Sequence, residues 1–336
     1  MLNDARLFQY IDFSRIVQTL TMLFLLNHRL ITAAFILYSM AFSSVASAQV
    51  LIFGITPQTP SPQPIYDQRF ENADSKVLKT RVIYERRTDT PTKSQVWQQL
   101  LTQLEDKTGL SFTLVIADSQ LAFERALAQG KFDLAYLTPL QFLSAIESQG
   151  YKALAKRKAQ LLRSLIVVKR LDKAKTLRDI ETSVTGFDSL LSYTSSVIPR
   201  YSLKRLGFAL PMRLYPDTKQ LEMALTEGKV RAISLAESDF YALSPDRQEQ
   251  LKILWETPGF SPFAFATHPR VPFYSINKLQ RAMVNLNRRG NNAELLQALE
   301  ARNGFEVARN SDWIDAQDIN VQELNMHLPL AEPAQE

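Results

Sequence analysis

The feature that most constrains this chain is a repeated grammar in which a short apolar run is followed by an amphipathic stretch and then a glycine. Phe112 to Ile116 reads as a strand, Ser119 to Gln129 as a helix stopped by Gly130, and Phe132 to Leu137 as a second strand. Thr138-Pro139 then opens a helix that Gly150 ends, with a hydroxyl suited to the N-cap, a proline to the first helical position and a glycine to the stop. Strands separated by helices cannot pair through tight hairpins. They pair in parallel through right-handed crossovers, so the passage predicts a parallel sheet flanked by helices.

The grammar extends in both directions. Upstream, Val50 to Thr56 is a continuous apolar run that reads as a buried strand, and Thr92-Lys93-Ser94 opens a helix that puts Val96, Trp97, Leu100, Leu101 and Leu104 on one face before Gly109. Downstream, Leu165 to Val168, Val184 to Phe187, Met212 to Tyr215 and Val230 to Leu235 read as strands. Between them lie helices from Ser196 to Leu206 and from Thr218 to Glu227, stopped by Gly207 and Gly228. Two passages of one grammar predict two α/β lobes. Strand-like Leu251 to Trp255 and Pro262 to Thr267 follow, then helices Ile276 to Arg288 and Asn292 to Ala301. Return strands after the second passage imply that the chain crosses back to finish the first lobe. The expected organisation is a leader over 1–48, lobe one over 49–165 and 250–325, lobe two over 166–249, and a polar tail over 326–336.

The leader is read from Leu30 to Ala41, LITAAFILYSMA, preceded by His28-Arg29 and followed by Ala46-Ser47-Ala48. A positive start, an apolar centre and an A-x-A exit describe a secretory signal cleaved after Ala48. Ile16 to Leu26 is a second apolar stretch that keeps a retained anchor open as the alternative, and Met22 is a second candidate start. Between Pro57 and Pro64 stand four prolines, which neither a regular helix nor a central strand accepts, so this segment is expected to be a surface loop. Lys76 to Glu85 beyond it has some β character, and Arg81, Arg86 and Arg87 either edge a site or face water.

Composition removes whole classes of function. Among 336 residues there is no cysteine, which excludes disulfide frameworks, thiolate metal sites, thiol nucleophiles and a lipid-bearing cysteine. Only 3 histidines are present, widely spaced, so no metal site is expected and no cofactor is called for. No G-x-G-x-x-G, Walker A loop or G-x-S-x-G elbow occurs. The net charge of +5 comes from interspersed residues rather than from a basic block, which argues against a nucleic-acid partner.

The stretch AQGKFDLAYLTPLQFL from Ala128 to Leu143 resembles the first-lobe signature of the phosphate, phosphite and phosphonate solute-binding proteins of ABC transporters. Three further segments resemble that family in the same order: Phe53-Gly54-Ile55-Thr56-Pro57, the run YTSSVIPRYSL from Tyr193 to Leu203, and Glu227-Gly228-Lys229-Val230-Arg231-Ala232. The resemblance implies a type 2 periplasmic-binding-protein fold, α/β, with two lobes of mostly parallel sheet flanked by helices and a hinge between them. It also implies a periplasmic location, a small oxyanion ligand clamped between the lobes, and delivery to an inner-membrane permease. A monomer is the expected state for a clamp that hinges.

Candidate ligand-binding residues follow from strand ends and helix starts, where unpaired N–H groups and a positive dipole end favour anions. They are Thr138, and Thr194, Ser195 and Ser196 at the second lobe's helix, with Tyr136 and Tyr193 as walls. Each has a plainer reading as a cap or a half-buried sheet aromatic. The family's pattern at the second cradle is S-T-S-G, where this chain has Tyr193-Thr194-Ser195-Ser196, and a histidine common in the family aligns near Thr218. Arg231 replaces an expected aspartate and is either an added anion contact or a solvated charge, and the expected downstream acid is Glu237 or Asp239. A ligand-sensing subunit acting on a membrane-bound signalling partner is the alternative function. An enzyme is not expected, because the two histidines beyond the leader are isolated and only the carboxylates Asp133, Asp188, Glu237 and Asp239 near strand ends are left for acid–base work.

Overall fold

The structure is a computed structural model that describes residues 50–56, 92–286 and 292–326. The leader and its cleavage site, the proline-rich loop, Lys76 to Glu85 with the nearby arginines, and the tail beyond Met326 lie outside these residues.

Strands β1 (Val50–Ile55), β2 (Ser111–Ile116), β3 (Leu134–Leu137) and β4 (Lys152–Arg157) begin the first sheet. The second sheet takes β5 (Ser164–Lys169), β6 (Thr185–Phe187), β7 (Met212–Leu214), β8 (Ala232–Ala236) and β9 (Leu251–Glu256), after which β10 (Ala264–Thr267) and β11 (Phe305–Val307) return to the first. The spatial orders are β11-β4-β10-β3-β1-β2 and β7-β6-β8-β5-β9. Helices α1 (Lys93–Thr108), α2 (Gln120–Ala128) and α3 (Pro139–Gln149) supply the first crossovers, and α4 (Ile198–Arg205) and α5 (Thr218–Glu227) those of the second sheet. Helices α6 (Glu237–Ala242), α7 (Pro245–Glu249), α8 (Phe273–Asn285), α9 (Ala293–Ala298) and α10 (Val321–Met326) complete the order.

The parallel pairings fall where the grammar places them: β1 with β2 and β3, and β6 with β7 and β8. β10 and β5 run against their neighbours, because each carries the chain just after it has crossed between sheets. Leu251–Glu256 requires a correction. It lies in the second sheet, antiparallel to β5 with Leu165 opposite Glu256 and Lys169 opposite Leu251, so the return to the first sheet comes after it.

Local chemistry sets the helix ends. In α1, Thr92 Oγ1 accepts from the Gln95 amide at 3.3 Å while Gln95 Oε1 accepts from the Thr92 amide at 2.7 Å, a reciprocal capping box. Gly109 ends the helix at φ 67°, where a side chain would be strained. The face that the sequence assigns to the core is buried, and Trp97 meets Tyr136 with ring centroids 4.9 Å apart. Tyr136 in turn meets Phe265 at 4.5 Å.

Two crossings, over 158–163 and 257–263, join the sheets. They are tied to each other, with the Leu162 amide donating to the Phe260 carbonyl at 2.7 Å and the Phe260 amide to the Leu162 carbonyl at 2.8 Å. The largest apolar cluster runs across this junction, since Tyr193, Val197 and Ile198 pack in the same core as Phe53, Trp97 and Phe263.

Candidate functional site

The carboxyl end of β4 and the residues just after β6 and β8 face one another across a small cavity of about 100 Å³, lined by Arg157, Asp188, Ser192, Ser195, Asp239 and Glu300 among others. It adjoins a larger cavity of about 370 Å³ that shares Thr194, Ser238 and Glu300 and is flanked further out by Arg163, Glu237 and Arg302. In open α/β sheets ligands sit beyond the carboxyl ends of strands, and these two cavities occupy that position.

Arg157 dominates the inner cavity. Its side chain is 1% exposed and pairs through Nη1 with Glu300 Oε2 at 2.8 Å, while Nε and Nη2 have no hydrogen-bond partner. Burial disfavours its charge, but Tyr136 and Glu300 more than offset this and hold its pKa above the ordinary arginine value. Nε and Nη2 form one edge of the guanidinium, a fork that accepts two oxygens in parallel. Its counter-ion Glu300 sits in the left-handed region at φ 54°, a conformation that costs a non-glycine residue about 1 kcal/mol or more.

On the opposite wall stands Asp188. Ser195 Oγ donates to its two carboxylate oxygens at 2.8 and 2.9 Å, and Ser192 Oγ donates to Oδ2 at 3.0 Å. The carboxylate therefore occupies, from within, the Ser192 and Ser195 hydroxyls, while the Tyr193 hydroxyl of the same lining has no hydrogen-bond partner. Beside it Asp239 has a pKa pushed up to about 7, first by burial and then by the negative charges of Glu300 and Asp188, although part of its surface remains open to the cavity.

The residues singled out from sequence divide accordingly. Tyr193, Thr194 and Ser195 line the inner cavity. The Thr194–Ser196 cluster does not precede its helix as expected, because a π-helical turn over Tyr193–Val197 leads directly into α4. The extra residue per turn carries Ser196 away from the cavity; it is fully buried, with its carbonyl accepting from Arg200 Nε at 3.2 Å. Tyr193 packs edge-on to Phe263 with centroids 6.4 Å apart, and burial, followed by Asp315 and Tyr201, raises its pKa well above the usual tyrosine value.

Tyr136 is 2% exposed within the first core and is a sheet aromatic rather than a wall. Thr138 is the N-cap of α3, accepting from the Gln141 amide at 3.3 Å, and lines neither cavity. Thr218 is the first residue of α5, capped by Asp217, and also lines neither. Arg231 is bound within the second lobe by a fork to Asp172, with both N–O distances 3.1 Å, and takes no part in the site. Asp133 likewise pairs with Arg270 and caps the Ile52 amide. Of the two acids weighed after β8, Asp239 is the inner and Glu237 the outer.

Neither Arg157 nor Glu300 stands out in the sequence. The run Lys-Ala-Leu-Ala-Lys-Arg that forms β4 has weak β propensity, and nothing local distinguishes Arg157 from a surface arginine. Among the described residues no group of three or more acidic or histidine side chains is placed to hold a metal ion.

Solved structures share this architecture. PhnD1 from Prochlorococcus marinus (MIT 9301), solved with methylphosphonate, superposes with a TM-score of 0.61 at 15% identity, covering 83% of this chain and 99% of its own. A binding-protein component of an ABC phosphonate transporter from Pseudomonas aeruginosa gives 0.58 at 15%, covering 83% and 88%. XAC2383 from Xanthomonas citri, bound to ATP, gives 0.59 at 12%, covering 83% and 98%. At such identities these establish the two-lobed type 2 periplasmic-binding-protein fold and nothing finer. No curated protein sequence matches the chain. Residues 88–313, well over half of the chain, match the family profile described as ABC transporter, phosphonate, periplasmic substrate-binding protein, so the chain belongs to the periplasmic substrate-binding proteins of phosphonate ABC transporters.

Proposed function

We propose that this protein captures a small solute bearing an acidic group in the cleft between its two sheets and presents the closed form to its cognate ABC permease. Membership of a family of transporter binding proteins supplies the class of activity, the periplasmic setting and the membrane partner. The observation that carries the reading is the buried Arg157 guanidinium, which belongs to the lining of the inter-lobe cavity and keeps Nε and Nη2 without a hydrogen-bond partner. Leaving such donors without a partner costs on the order of 1–3 kcal/mol each, a penalty that a bound acid removes.

Closure uses the paired crossings over 158–163 and 257–263 as the hinge, and a solute favours the closed state to the extent that it touches both walls. Arg157 belongs to the wall of the first sheet and Asp188, Thr194 and Ser195 to that of the second. A solute that fills the fork on one side and meets Thr194 or the Asp188 cluster on the other has contacts in the closed form that it lacks in the open one.

The test is isothermal titration of the purified protein with phosphate, sulfate, methylphosphonate, 2-aminoethylphosphonate and small carboxylates. Saturable binding of at least one, weakened about tenfold or more in Arg157→Lys, is the expected result, because lysine offers a point charge in place of a fork. Binding by none of them overturns the solute reading.

A further inference from the structure

We propose that the solute extends beyond its acidic group: it carries an uncharged, hydroxylated body of sugar-like size that lies in the outer cavity, against the Tyr241 ring and among the side-chain amides of Gln160, Gln297 and Asn303. The inference rests on the cleft being a solute site and narrows what it takes. Three observations carry it.

The inner cavity is too small to be the whole site. Cavities that enclose a small molecule run from about 300 Å³ upward, and the inner one holds about 100 Å³. The outer one holds about 370 Å³ and shares Leu162, Thr194, Ser238 and Glu300 with it, so one solute can reach into both. Gln160, Leu161 and Arg163 of the first crossing also line the outer cavity, which puts it at the hinge end of the cleft. Lobes that rotate about a hinge move least beside it, so this space persists when the clamp closes. A bare oxyanion leaves it to water.

The outer lining is polar and close to neutral. Arg163 pairs with Glu256 at 3.2 Å and Glu300 with Arg157 at 2.8 Å, which leaves Glu237 and Arg302, one charge of each sign. A further charged group on the solute meets its own sign there as well as the opposite one, and a neutral body meets no such repulsion. Gln160 and Gln297 are half-buried, and among the described residues neither side-chain amide makes a hydrogen bond; the same holds for Asn303. An amide both donates and accepts, as a hydroxyl does, so three of them around one space match a body that carries several hydroxyls.

Tyr241 gives that body a face to lie on. It is the aromatic residue of the outer lining, 59% exposed, and is set edge-to-face with Phe240 at a centroid distance of 5.3 Å. The face of a sugar ring presents C–H groups of slight positive charge, which suit the negative face of an aromatic ring. Tyr241 belongs to α6 of the second lobe, whereas Gln297 lies in α9 and Asn303 just before β11 of the first. A body held between them touches both walls and adds to the preference for the closed form.

The experiment is a matched titration of the purified protein. Glycerol 3-phosphate, ribose 5-phosphate, glucose 6-phosphate and gluconate carry a hydroxylated body; phosphate, methylphosphonate and acetate are the bare acids. The expected result is saturable binding of at least one of the first group, about tenfold or more tighter than the bare acid of the same kind. Tyr241→Ala is expected to reduce that advantage to about threefold or less and Tyr241→Phe to keep it, because the ring face makes the contact. Asn303→Ala is expected to reduce it by about three- to tenfold, the worth of one or two hydrogen bonds. Both side chains are exposed, so the variants retain the fold.

A bare acid that binds as tightly as its best hydroxylated counterpart overturns the inference while leaving the solute reading intact. So does an advantage that survives both Tyr241→Ala and Asn303→Ala, because the body then lies elsewhere. Failure of every compound in both titrations overturns the solute reading itself.

Discussion

A carboxyl that burial holds near pH 7 is protonated in the fold and ionised in the unfolded chain across the pH range between its two values. For Asp239 these are about 7 folded, with burial as the main cause and Glu300 and Asp188 adding to it, and 3.8 unfolded. Its protonated form contributes stability that is complete below pH 3.8 and is lost as pH rises through 7. An asparagine at this position is neutral throughout and escapes that loss. Asp239→Asn is therefore expected to match the wild type near pH 4 and to exceed it by up to about 4 kcal/mol near pH 8, since each tenfold change in a protonation equilibrium is worth about 1.4 kcal/mol. Urea denaturation at a series of pH values measures this, and parallel wild-type and variant curves would remove Asp239 from the cavity's charge balance. Glu300 offers the complementary case, since Glu300→Ala leaves Arg157 charged and without its counter-ion at 1% exposure. A loss of about 3–5 kcal/mol is expected by the same measurement. Relief of the left-handed backbone in Glu300→Gly is too small to reverse it.

The π-helical turn over Tyr193–Val197 decides which hydroxyls of the second lobe reach the cavity. It places Ser195 over Asp188 and withdraws Ser196 into the core. Because the Ser195 proton is directed to a carboxylate of the protein, Ser195→Ala is expected to lower stability by about 1–2 kcal/mol while changing solute affinity by less than about threefold. Equilibrium unfolding and titration of the one variant separate the two effects, and a large affinity loss at unchanged stability would make Ser195 a direct solute contact. The turn also marks where sequence stops being informative. Hydroxyls before a helix, Thr138-Pro139 and the glycine stops are local signals, and the elements that they delimit are found within a few residues of their expected places. A π turn has no comparable local signature. Neither does β4, whose lysines, alanines and single leucine hide a central strand that neighbours on both sides stabilise. The site depends on both, so the cavity's second wall is legible in the sequence in outline and Arg157 on its first wall is not.

At the scale of the whole molecule, both crossings join the lobes and the first of them, through Gln160, Leu161, Leu162 and Arg163, borders the larger cavity, so binding and hinge geometry share residues. Gly259 lies beside the Leu162–Phe260 bridge, and a Cβ built there falls 2.5 Å from Leu161 Cδ1 and 2.9 Å from Leu161 Cβ. Leu161 has to move: its Cδ1 can swing into the 370 Å³ cavity that it lines, but its Cβ moves only with the backbone of the crossing. Gly259→Ala is accordingly expected to push the Leu161 side chain into the cavity and to shift the backbone of the crossing. Solute affinity should fall by about tenfold and unfolding free energy by about 1–3 kcal/mol. Adding Leu161→Ala removes the Cγ and Cδ contacts while keeping Cβ and should restore part of the affinity, giving a coupling between the two positions that a double-mutant cycle measures. If the double variant binds no better than Gly259→Ala alone, the glycine acts through the backbone of the crossing itself. The hinge, rather than the cavity mouth, would then be what its missing side chain protects.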